Sequence, residues 1–152
     1  MERKKIDKIL IYLYYTLGFI ALAGIVITIF YMNNKSLVYN SDALVQHYPT
    51  QFYLSDFFAN IFKGVKKFNF NLGLGQDVMA TYHYYGLTDP LNILLGIFNY
   101  LSPNILYYLS LWLRLYLAGI AFVYMCVHFQ KNNKVIALAA LIYTFSNYSL
   151  SG

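Results

Sequence analysis

Residues 9–32, ILIYLYYTLGFIALAGIVITIFYM, run for 24 residues without one Asp, Glu, Lys or Arg. At about 1.5 Å per residue, a helix of that length reaches across the roughly 30 Å hydrocarbon core of a bilayer. Four basic residues, Arg3, Lys4, Lys5 and Lys8, stand in front of it. A cleaved signal peptide also begins with basic residues, but its apolar core is only about 7–15 residues long and ends at a small-residue cleavage site. This run is longer, and no such site precedes Asn33. The reading is an uncleaved transmembrane helix with residues 1–8 in the cytoplasm.

Composition agrees. Hydrophobic residues make up 59% of the 152 and charged ones 11%, where soluble domains carry roughly 45–50% and about 25%. A disordered chain is excluded and a soluble globule disfavoured. With 17 Tyr and 12 Phe against one Trp, the chain is rich in rings that settle at membrane interfaces. One cysteine, Cys126, excludes a disulfide framework or a cysteine-based zinc site within one chain. The net charge of +5 is not gathered into one basic face, so nucleic acid is not an expected partner. The partner expected is the lipid bilayer.

Residues 105–127 give a second apolar run, broken only by Arg114 and followed by His128, Lys131 and Lys134. It predicts a transmembrane helix over 105–128 and, because lysines favour the cytoplasmic side, a cytoplasmic loop over 129–134. Residues 135–152 predict a third transmembrane helix that is cut short, since its apolar run is only 16 residues long. Residues 33–104 then fall outside the cytoplasm. Within them, residues 90–101 are apolar for only 12 residues. A full crossing there would put the lysine loop outside, so length and parity predict a re-entrant or interfacial helix. The fold class expected is therefore all-α and multi-pass, with juxtamembrane helices in a long outer loop.

Within that loop, residues 41–63 (SDALVQHYPTQFYLSDFFANIFK) space Leu44, Val45, Tyr48, Phe52, Phe57, Phe58, Ile61 and Phe62 mostly three and four apart. This predicts an amphipathic helix on the membrane surface with an aromatic face, started by Ser41, stopped at Gly64, and kinked or divided at Pro49. Asp42 and Gln46 share a helical face. A carboxylate placed there suits either a general base or a ligand for a divalent cation. Further on, Gly73 and Gly75 permit a tight turn presenting Asp77, with Lys63, Lys66 and Lys67 ahead of it, which suit water or lipid headgroups. Tyr82, His83, Tyr84, Tyr85 and Asp89 add rings, an imidazole and a second carboxylate. Such rings either stack on a sugar or sit at the bilayer interface. Arg114, tenth in its span, needs a partner in a cavity: a loop acid, another part of the chain, another subunit or a ligand phosphate. His128, at the helix end, reads as an interface residue.

Four stretches, SDALVQHYPTQFYL, FNFNLGLGQDVMATYHYYGLTDPLNILLGIF, LWLRLYLAGIAFVYM and ALIYTFSNYSLSG, occur in this order. Together they resemble the amino-terminal part of the YfhO family of bacterial membrane proteins, and the likeness covers nearly all of the chain from Ile9. The resemblance implies a partial GT-C architecture: a plasma-membrane glycosyltransferase using a polyprenyl-phosphate sugar donor and a cell-envelope polymer acceptor of the teichoic acid class. It places Asp42 in the active site, in the first outer loop. Asp77 and Asp89 fall in the family's second block, and Gln46, Tyr82, His83 and Arg114 join them, by their chemistry, as candidate substrate-binding residues. Whether a metal is bound is left open, a divalent cation being one option. Family members are longer, so the chain is expected to be a fragment without independent catalysis. The alternative is a small non-enzymatic scaffold or accessory subunit. A transporter fits less well, because most polar groups lie outside the spans.

Overall fold

The structure, a computed structural model, describes residues 2–38, 41–64, 67–71, 74–83, 86–87, 89–98, 100–129 and 134–146. Lys66, Gly73, Tyr84, Tyr85, Lys131 and the end of the third apolar run lie outside the described residues. The fold is mostly helical and divides into two units, one of residues 1–35 with 111–152 and one of residues 36–110.

In the first unit, α1 (Glu2–Met32) and α5 (Pro103–His128), which begins in the second unit, are both long and apolar enough to cross a membrane. Only 22% of each helix's most apolar window is buried, which separates them from core helices of a soluble protein. Ile9, Leu13, Leu17, Ile20, Ile25 and Ile29 all face outward. Each would lose about 1.5–3 kcal/mol in water relative to burial, and a hydrocarbon surround removes that cost. The third helix of this unit, α6 (Val135–Thr144), packs against α1.

Where the three helices meet, Tyr15 is fully buried and its hydroxyl donates to the Tyr116 carbonyl at 3.0 Å. The same hydroxyl lies 3.3 Å from Thr144 Oγ1, which itself donates to the Ala140 carbonyl at 2.8 Å. Gly119 makes room for the pair, because a Cβ there would collide with the Tyr15 phenol and with Thr144 Oγ1. Close approach through small residues is the usual way helices pack in lipid. Phe19 extends the contact, with ring centroids 5.3 Å from Tyr116 and 5.6 Å from Phe145.

In the second unit a π-helical turn (Ala43–His47) leads directly into α2 (Tyr48–Ala59), and a 3-10 turn (Ile61–Lys63) follows. Gly64 ends this run at φ +92°, a conformation only glycine adopts freely, so the expected stop is where the sequence put it. A short antiparallel hairpin follows, β1 (Phe68–Asn69) pairing with β2 (Gln76–Asp77). Next come α3 (Val78–Tyr82) and α4 (Pro90–Ile97), the latter packed along α2. Eight residues of helix span about 12 Å, well short of a membrane crossing.

α2 buries a mainly polar face, with Tyr53, Phe57 and Phe58 packed against the core beside it. Thr50, Gln51, Leu54 and Ser55 are buried, whereas Leu44, Val45, Phe52, Ile61 and Phe62 are exposed along the helix and its flanking turns. Apolar spacing reports which side chains avoid water, and in a membrane protein lipid satisfies them as well as a core does. Leu54, Val78, Tyr82 and Leu87 form the core of this unit.

Replacing Gly119 by Ala should destabilise the first unit by about 1–3 kcal/mol through overpacking. Tyr15→Phe should cost about 0.5–1.5 kcal/mol through the lost hydrogen bonds. Thermal unfolding in detergent micelles checks both, and a neutral Gly119→Ala would contradict this packing.

Candidate functional site

Asp42 owes its setting to Pro49. Proline has no N–H to donate, and its ring crowds the carbonyl four residues back, here that of Val45. The chain answers with a wider turn: Tyr48 N bonds to the Ala43 carbonyl, a π-type i to i−5 bond. Upstream, the Ser41 carbonyl accepts from Leu44 N and Val45 N, both at 3.1 Å. Asp42 stands at the head of the π turn in right-handed helical conformation, and its carboxylate caps none of the helix N–H groups. Instead Oδ1 accepts from Gln46 Nε2 at 3.1 Å, and both residues are exposed. The arrangement is a carboxylate oriented through one oxygen and open to water.

The other two acids of the loop are engaged differently. Asp77 is extended (φ −69°, ψ 126°) and accepts from Ala80 N at 2.9 Å, the N-cap of α3. Asp89 precedes Pro90 and accepts from Leu91 N at 2.8 Å, which gives α4 an acid cap with proline in its first position. Each carboxylate thus lies at a helix start, where backbone N–H groups and the macrodipole favour negative charge. His83, exposed at the end of α3, has Nδ1 2.6 Å from the Ala80 carbonyl. A carbonyl only accepts, so Nδ1 carries the proton. Tyr82 points into the core, where its ring stacks on Tyr53 with centroids 4.6 Å apart and 16° between planes.

Sequence reading missed a buried polar chain beside that core. Gln51 Nε2 donates to Asn92 Oδ1 at 3.3 Å, and Asn92 Nδ2 donates to the Gly86 carbonyl at 2.9 Å. Gly86 sits at φ +90°, and a Cβ there would come within 2.7 Å of Asn92 Nδ2. The bonds join α2, α4 and the turn between α3 and α4. The available signal was Gly86 three residues ahead of Asp89-Pro90, with an amide two residues beyond. A cavity of about 520 Å³ also lies in this unit, lined by apolar residues including Phe57, Phe58, Val78 and Leu87 and, as the one charged side chain among the described residues, by Lys67.

The structure therefore joins Asp42 to Gln46, puts Asp77 and His83 at opposite ends of α3, and puts Asp89 at the start of α4. Arg114 is exposed on α5, within the first unit. Among the described residues no three His, Cys, Asp or Glu side chains gather as a metal site would require.

Two membrane-length helices with largely outward-facing apolar surface, joined to a small helical unit bearing exposed polar groups, define a membrane-associated protein. A family model described as bacterial membrane protein YfhO matches residues 16–152, and the chain belongs to that family. No curated protein and no solved structure matches it.

If Asp77 acts as a cap, Asp77→Ala should lower the melting stability of the protein by about 0.5–2 kcal/mol, and Asp77→Asn, which also caps, by much less. Equal losses in the two variants would assign the effect to charge instead. Asn92→Leu strands the Gln51 amide and the Gly86 carbonyl and should cost about 1–3 kcal/mol. The same unfolding measurement reads it, and an unchanged midpoint would contradict the bonding described.

Proposed function

We propose that the chain works in a membrane glycosyltransferase that moves a sugar from a polyprenyl-phosphate donor to a cell-envelope polymer of the teichoic acid class. In this reading residues 1–8 are cytoplasmic, residues 33–104 face outward, and Asp42 is the base. Membership of a bacterial membrane-protein family supports the setting. The observation that carries the assignment of Asp42 is its difference from Asp77 and Asp89. Their carboxylates are bound to backbone N–H groups, whereas that of Asp42 caps no helix and is oriented by Gln46.

An acceptor hydroxyl gives its proton to the Asp42 carboxylate as its oxygen bonds to the anomeric carbon from the side opposite the donor phosphate. The bond from that carbon to the phosphate oxygen breaks, polyprenyl phosphate leaves with the electron pair, and the configuration inverts. A phosphate leaving group needs little protonation and gains from nearby positive charge. Gln46 serves as a positioning residue for the base.

The caps formed by Asp77 and Asp89 and the core position of Tyr82 favour a second reading, an accessory membrane subunit without chemistry. Local structure accounts for those three residues without a substrate.

Asp42→Asn separates the two. As loss of a general base it should reduce sugar on the envelope polymer of the host by about 100-fold or more, with membrane insertion and melting unchanged. Unaltered glycosylation would remove Asp42 from this role and leave the accessory reading standing.

A further inference from the structure

The second unit exposes large apolar side chains that its own core does not use. Phe62 and Leu74 are fully exposed and Phe70 is 81% exposed, with Phe68, Ile61 and Met79 about half exposed. The hairpin holds part of this surface in place: the Phe68 and Phe70 rings lie 5.1 Å apart, centroid to centroid. Both rings cover Gly75, where a Cβ would come within 3.1 Å of Phe68 and 3.4 Å of Phe70. Gly75 has φ +99° and no side chain, so the aromatic pair folds over the β2 end of the turn and Leu74 stands beside it. Lys67 directly precedes β1, and Lys63 closes the 3-10 turn. The apolar cavity shares Ile61, Lys67 and Met79 with these elements.

Two observations identify the occupant of this surface. The unit begins at Ser36, four residues after the membrane-length α1 ends at Met32, so its first residue lies within about 14 Å of that helix end. Its last residues already belong to α5, the other membrane-length helix. A bilayer surface is therefore within reach. Lysines also flank the apolar residues: Lys63 and Lys67 are exposed beside them, while the equally exposed Asp56 and Asp77 each hold one hydrogen bond within the chain, from Asn60 Nδ2 and Ala80 N. Lysines flanking exposed aromatics match anionic lipid headgroups over acyl chains.

We propose that the 3-10 turn and the hairpin form an interfacial wedge that docks into a bilayer containing anionic phospholipid. Phe70 and Leu74 enter the acyl region, and Lys63 and Lys67 meet the lipid phosphates. The wedge does not depend on the glycosyltransferase reading, since it needs neither Asp42 nor a sugar.

Spin labelling of the full chain tests it. In a Cys126→Ala background, nitroxides are attached at Phe70→Cys and, separately, at Leu74→Cys, and the protein is reconstituted into vesicles of phosphatidylcholine with phosphatidylglycerol. Collision with oxygen should exceed collision with a water-soluble nickel chelate at both sites, as it does for labels inside the acyl region. Greater collision with the chelate at both sites would overturn the proposal. Lys63→Glu combined with Lys67→Glu should make both labels shallower in these vesicles. Unchanged depth in that variant would remove the anionic lipid from the proposal.

Discussion

The buried hydroxyl of Tyr15 is the constraint on which the helical unit turns. A bilayer interior offers no water to a phenol, so the group must find partners within the protein. Tyr116 on α5 and Thr144 on α6 supply them, and the missing side chain of Gly119 lets the phenol reach both. One residue of α1 thus sets the register of two other helices. The outward faces of α1 and α5 need only be apolar, and the sequence meets that demand with Ile and Leu.

The second unit follows a different rule. Its chain enters shortly after one membrane-length helix and leaves within another. Backbone demands then divide the carboxylates. Short helices expose N–H groups that α3 and α4 satisfy with Asp77 and Asp89. At Asp42 the helix begins with a π turn forced by Pro49, and the carboxylate turns to a side-chain amide instead.

The long helices are legible because a span demands an apolar run of about 20 residues. α1 ends at Met32 with its run, and α5 ends at His128, one residue past its run. Gly64 was legible for a similar reason, since positive φ nearly requires glycine. The face that α2 buries was not. Gln51, Ser55 and Thr50 look like solvent residues until Asn92 and α4 are placed beside them, and that placement depends on contacts some forty residues away in sequence. Asp77 and Asp89 carry local signals of helix caps, an acid three residues ahead of a helical N–H and an acid just before proline, and the structure forms both caps. Tyr82, a candidate for either a sugar or the bilayer interface, has its ring stacked on Tyr53 in the core, which spacing alone does not reveal. In contrast, the Asp42–Gln46 pair followed directly from i, i+4 spacing and is hydrogen-bonded as that spacing implies.

The central claim is that residues 33–104 lie outside the cell, since Asp42 can serve an envelope polymer only there. Thiol labelling in intact bacteria tests this most directly, with Ser41→Cys placed beside Asp42 in a Cys126→Ala background and a membrane-impermeant maleimide as the probe. The account predicts labelling of intact cells to the same extent as of broken ones. Labelling that appears only after the cells are broken would contradict it.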